Sequence, residues 1–258
     1  MKRDFLYDTE NSTLLVVFVV IGVLLSITCL FIFKYLFPSC YVNGDLNSCV
    51  SIFIGVISIF IGVTFAFVVS NAYTTYSAAA DNALLEASQL FELHKLVSTL
   101  PNTTELQTKI VEYTLYVANI EYPSLENGIV PDEGHVLLSG IGTDLYEYNP
   151  TTKRENVVFN KAVTVYNDIV TLKVSRLASA QTGLAPELWW VLIIGSILII
   201  IMTWFVKCSV VIQYVFTTIT TTALSSMIFL IVALDYPFKG DYGLDSEPFL
   251  TSARLMMV

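Results

Sequence analysis

With 258 residues, 55% of them hydrophobic and only 14% charged, the chain falls well below the roughly 25% charged residues of a soluble domain. Its 22 acidic against 13 basic residues give a formal net charge of −9, which argues against a nucleic-acid partner and against a polybasic lipid-binding surface. Four apolar runs, Leu14–Phe37, Val50–Val69, Leu188–Val206 and Val210–Leu234, have about the 20 residues needed to cross a hydrocarbon core.

The pattern predicts an all-α membrane protein with four transmembrane helices and a cytoplasmic helical bundle inserted between spans two and three. Domain boundaries are expected at 1–71 for an N-terminal helix pair, 72–186 for the soluble helical domain, 187–236 for a C-terminal hairpin and 237–258 for an irregular tail.

Met1 to Thr13 is a polar lead carrying Lys2 and Arg3, with Asn11 or Ser12 placed to cap the first span. That span is too long for the apolar core of a signal peptide and has no small-residue cleavage site before Lys34 and Pro38, so it is expected to be retained. Lys34 is placed to snorkel. Pro38 to Ser48 reads as a tight loop with an Asn43-Gly44-Asp45 turn. Cys40 and Cys49 bracket it, either bridged in an oxidising compartment or left as two thiols. No His/Cys cluster gives zinc spacing, and no cofactor is expected.

No proline or glycine occurs between Gly62 and Pro101, so one helix is predicted from Cys49 to Leu100, apolar at first and amphipathic after Ser70. Its expected buried stripe is Tyr76, Ala80, Ala83, Ala87, Leu90, His94 and Val97, with Asp81, Glu86, Glu92 and Lys95 off it. In the apolar half, Ser51, Gly55, Ser58, Gly62 and Ala66 form a small-residue stripe. Small residues let helices pack closely. Around an oligomer axis they leave space for water and an ion, with Phe53, Ile57 and Phe60 as an apolar constriction. These eight residues are the candidate pore lining.

Thr104 with Gln107 reads as a capping box opening a helix to about Tyr122, with Leu106, Ile110, Tyr113, Val117 and Ile120 inward and Pro123 closing it. Ser124 to Thr151 reads as a loop with short helical turns. A helix from about Thr152 to Thr182-Gly183 turns Val158, Ala162, Val165, Ile169, Leu172 and Arg176 inward. The third span starts with Pro186 and Glu187 in its first turn and Trp189-Trp190 at the aromatic belt. Seven Thr and Ser residues between Thr217 and Ser226 serve either back-bonding and helix packing or a hydrated path.

Asp235, at a helix C-terminus where the macrodipole opposes a carboxylate, needs a cationic partner. Arg176, Lys239 or a bound cation can serve, and pairing with Arg176 is the favoured account of this membrane-face ion pair or ion site. Basic residues near the span ends put both termini and the soluble helices in the cytoplasm. His94 and His135 have no local partner, and Gly140-Ile141-Gly142 lacks the third glycine of a dinucleotide loop. No catalytic set or metal site is read, so an enzyme is not expected.

Three pieces of the chain resemble a known family. They are the second span running into Glu86-Ala87 and Leu90, then Arg176 followed by Pro186, Glu187 and Trp189. The third is the tail Asp235-Tyr236-Pro237-Phe238-Lys239-Gly240 with Ser246-Glu247-Pro248-Phe249. These are similar to bacterial membrane proteins with a bestrophin-like domain and, more distantly, to bestrophin ion channels. The resemblance implies a homo-oligomer in a bacterial inner membrane, with a pore lined by the second span and inorganic ions as cargo. The aromatic-flanked neck motif and acidic calcium clasp of the animal channels are not matched. Between Ser70 and Pro186, 13 Asp/Glu stand against seven Lys/Arg, so the expected channel favours cations. The competing reading is a non-conducting scaffold or sensor whose cytoplasmic helices bind a protein partner.

Overall fold

Nine α-helices and one π turn account for the regular structure of the described residues, which in the computed structural model are 11–37, 44–206, 208–240 and 243–257. They are α1 (Asn11–Leu36), α2 (Gly44–Ser98), α3 (Thr104–Tyr116), the π turn (Val117–Glu121), α4 (Tyr122–Glu126), α5 (Glu133–Glu147), α6 (Lys153–Gln181), α7 (Pro186–Trp204), α8 (Val210–Asp235) and α9 (Glu247–Met256). No strand occurs among these residues. Lys2, Arg3, Cys40, Asn43 and Lys207 lie outside them, and so does the Cys40–Cys49 pairing.

Among the described residues four helices are long and apolar enough to cross a membrane: α1, α2, α7 and α8. The long helix runs unbroken for 55 residues, as the absence of helix breakers predicts. The contacts divide the chain into two compact units. Unit 1 holds 1–74 and 183–235, and unit 2 holds 75–182 and 236–258.

In unit 1, α1 lies along α8 and α7 also packs on α8. The approach of α1 to α8 depends on Gly22, because a side-chain carbon there would overlap the Ser225 hydroxyl. One turn on, Thr221 Oγ1 donates to Ser26 Oγ at 3.0 Å, while Ser226 bonds back to the Thr222 carbonyl. The Thr221–Ser26 bond joins α8 to α1, whereas the Ser226 bond stays within α8. A second contact buries Phe65 and Val68 of α2 among Leu192, Ile199, Leu224 and Ile231, with Ile57 and Ile61 packed against them. Here Gly195 of α7 is the seat, since a carbon at its Cβ position would stand 3.3 Å from Ile61.

In unit 2, one apolar core joins Leu90, Leu93 and Val97 of α2 to Ile110, Tyr113, Ile141, Leu145, Val165, Ile169 and Phe249. Several expectations are corrected here. The helix opening at Thr104 has Thr103 as its N-cap, without a side-chain capping bond; Gln107 instead reaches back to Thr103 Oγ1 at 3.2 Å. Pro123 does not close that helix. The π turn precedes it, and Pro123 falls in the first turn of α4, within helical winding that continues from α3. The stretch read as a loop contains the 15-residue α5, and the tail read as irregular contains α9.

Candidate functional site

The most concentrated chemistry in unit 2 is a buried charge cluster, built from three segments that each turn one ionisable face inward. Along α6 the buried residues are Ala162, Val165, Tyr166, Ile169, Lys173, Arg176 and Ala180, which apart from Tyr166 step by three and four and mark one helix face. The face was read with Leu172 on it. Lys173 takes that place and is 2% exposed, while Arg176 is fully enclosed.

On α2, Glu86 was read as lying off the buried stripe. It is fully buried, because Ala83, Glu86, Leu90, Leu93 and Val97 are themselves spaced by three and four. The third segment is the π turn. Its wider winding delays the inward face by one residue, so Glu121 and Leu125 are buried where Ile120 was expected, and Ile120 is exposed.

Arg176 binds both carboxylates. Nε donates to Glu86 Oε2 at 2.7 Å, Nη2 to Glu86 Oε1 at 3.0 Å and Nη1 to Glu121 Oε1 at 2.6 Å. The Tyr113 hydroxyl donates to Glu86 Oε1 at 3.4 Å. The guanidinium stands 5.7 Å from the Tyr122 ring centroid and 5.6 Å from that of Phe249, and Lys173 Nζ lies 5.2 Å from the Tyr113 ring centroid, within cation–π range. Two carboxylates, one guanidinium and one ammonium balance.

Burial opposes the charge on Arg176, but the Glu86 and Glu121 carboxylates outweigh it and hold the guanidinium well above its ordinary value. Burial pushes Lys173 the other way, below its ordinary value, with Glu121 opposing. Burial, aided by the Glu86 charge, holds the Tyr113 phenol well above its usual range. The arrangement fixes α2, the π turn, α6 and α9 around one guanidinium. No group of three or more His, Cys, Asp and Glu able to hold a metal occurs among the described residues.

The other expected site residues fall elsewhere. Arg176 is committed to Glu86 and Glu121, so its favoured pairing with Asp235 is corrected. Asp235 belongs to unit 1, where its Oδ1 accepts the Leu184 N–H. Lys239 belongs to unit 2, with Nζ 5.1 Å from the Tyr236 ring centroid. Among the small residues of α2, Ser51, Gly55, Gly62 and Ala66 are exposed and Ser58 half-buried, and carbons added at Gly55 and Gly62 would meet nothing within 4 Å. The stripe is therefore not a packing seam inside the chain. Phe53 and Phe60 are exposed, whereas Ile57 packs inward.

The bestrophin-like domain model matches residues 17–249. The chain belongs to the bestrophin-like family. Among solved structures, this family member is similar to a point variant of a bacterial bestrophin homolog from Klebsiella pneumoniae, at a TM-score of 0.73 and 13% identity, over 94% of this chain and 97% of that one. A second crystal structure of the Klebsiella pneumoniae homolog matches at a TM-score of 0.70 and 12% identity, with the same coverage. Identity this low shows a shared fold. No curated protein matches the sequence.

Proposed function

We propose that this bestrophin-like chain is one subunit of a homo-oligomeric ion channel in a bacterial inner membrane. In this reading α2 helices surround a central conduit, and the acidic helical unit faces the cytoplasm and favours cations. The observation that carries the reading is the unpartnered face of α2. Successive residues of an α-helix turn by about 100°. Ile52, Val56, Ile59 and Val63 therefore share a face opposite the inward-packed Ile61 and Phe65, and all four are exposed.

The flanks of that face differ. Phe53 and Phe60 stand on one side, and Gly55 and Gly62 lie about 160° away on the other. In a ring of copies the flanks meet neighbours, so rings on one subunit fit the small residues of the next at the same seven-residue spacing. Ile52, Val56, Ile59 and Val63 then point at the axis as an apolar constriction that gates by dewetting. Of the residues first read as the constriction, Ile57 serves the subunit's own packing, and Phe53 and Phe60 serve the contact between copies. Lipid covers the outer faces of α1, α7 and α8.

The test is flux from liposomes containing the purified protein. A salt gradient should dissipate with a preference for the cation, and silence across a range of salts and pH would end the proposal. A groove of about 430 Å³ in unit 2, lined by Leu84, Ala87, Phe91, Pro248, Ser252 and Leu255, favours the second reading, a scaffold that docks a protein partner. A scaffold oligomer gives no flux.

A further inference from the structure

Two atoms at the edge of the charge cluster have chemistry left over. Glu121 gives Oε1 to Arg176, but its Oε2 is buried without a hydrogen-bond partner, and so is Lys173 Nζ. Both side chains are almost fully enclosed, at 1% exposure or less for Glu121 and 2% for Lys173. They converge on one point, the first turn of α5. A carbon added at Gly134 would overlap Glu121 Oε2 and stand 3.1 Å from both Lys173 Nζ and Tyr116 Cε1. The Tyr116 hydroxyl, two bonds beyond that carbon, is buried beside the Gly134 backbone.

We propose that a single water molecule is bound between Glu121 Oε2 and Lys173 Nζ beside Gly134, as an internal part of this fold. The charges select the ligand. A metal or alkali cation would face the Lys173 ammonium at contact distance, and a halide would face the Glu121 carboxylate. An ammonium only donates and a carboxylate only accepts, so the bridging species must accept from one and donate to the other. Water does both and needs two to four polar partners. The bridge gives the buried Lys173 ammonium a hydrogen-bond acceptor and the Glu121 carboxylate a donor, which offsets the cost of burying both groups. Glycine at 134 is then a requirement of the site, since any larger residue displaces the carboxylate oxygen.

The test is a map of the full chain at a resolution that shows ordered water, with parallel crystals grown in rubidium and in bromide salts. A non-anomalous peak within hydrogen-bond distance of both Oε2 and Nζ is expected. Direct contact between Nζ and Oε2 with no peak between them overturns the proposal, and so does an anomalous rubidium or bromide signal there. In Lys173→Met the peak should vanish while Glu121 keeps its bond to Arg176. If that variant does not fold, the map of the unaltered protein decides alone.

Discussion

Arg176 grips Glu86 through two parallel bonds of 2.7 and 3.0 Å across 90 residues of sequence, with both side chains fully shielded from solvent. A buried pair of this kind contributes little net stability when intact, but removing one partner strands the other charge, at a cost of about 3–5 kcal/mol. Arg176→Met should therefore lower the thermal unfolding midpoint of unit 2 sharply, because two buried carboxylates, Glu86 and Glu121, are then left with Lys173 as the one remaining cation of the cluster. Arg176→Lys should rescue little, because an ammonium cannot span two carboxylates with a planar fork. Thermal unfolding of the detergent-solubilised protein measures both, and near-normal stability of Arg176→Met would refute the clamp.

Much of this fold was legible in the sequence because its main signals are local. The four spans and the unbroken α2 follow from apolar runs and from missing helix breakers. The cluster was half legible. Arg176 was placed on the inward face of α6, but Leu172 was drawn there instead of Lys173 and Glu86 was set off the stripe of α2, although both Glu86 and Lys173 sit at three-and-four spacing with buried neighbours. Glu121 was not legible at all. Its burial depends on a π turn, a change of winding that Val117-Ala118-Asn119-Ile120-Glu121 does not announce. The helices α5 and α9 were hidden by glycines and prolines that tertiary packing tolerates, with Gly142 accommodating Tyr166 and Pro248 falling in a first helical turn.

Two glycines of α5 should respond oppositely to the same change. At Gly142 an added carbon overlaps the Tyr166 hydroxyl and lies 2.6 Å from its Cζ, and that hydroxyl is anchored to the Leu138 carbonyl at 3.2 Å. Gly142→Ala should cost about 1–3 kcal/mol, as overpacking does. At Gly140 nothing lies within 4 Å, so Gly140→Ala gains helix propensity of up to about 1 kcal/mol. Denaturant or thermal melts of the pair read the sign directly.

His94 on α2 gives a pH dependence. Burial holds its imidazole below the ordinary value of 6.5, so the unfolded chain takes up a proton first as pH falls. The ring's contribution to stability is present above 6.5 and is lost as pH drops through that value toward the lower folded-state one. Unfolding midpoints measured from about pH 8 to pH 5 should decline more steeply for the unaltered protein than for His94→Gln. Identical slopes would show that the ring is solvated in both states.

The faces of α2 can be separated by single cysteines in a background lacking Cys29, Cys40, Cys49 and Cys208. Val56→Cys and Ile59→Cys should react with a membrane-impermeant thiol reagent and block flux, since both side chains are exposed and share the face opposite the packed one. Ile61→Cys and Phe65→Cys should be protected, because Ile61 fills the seat at Gly195 and Phe65 is 1% exposed. The flanks make a further demand. Phe60→Cys combined with Gly62→Cys should form disulfide-linked dimers only if the two flanks meet across a subunit boundary, because on one helix they lie about 160° apart. Blocking at 56 and 59 without cross-linking would keep the conduit and discard the Phe-on-Gly contact. Uniform reactivity around the helix, or none, would place α2 in lipid and remove the basis for a pore.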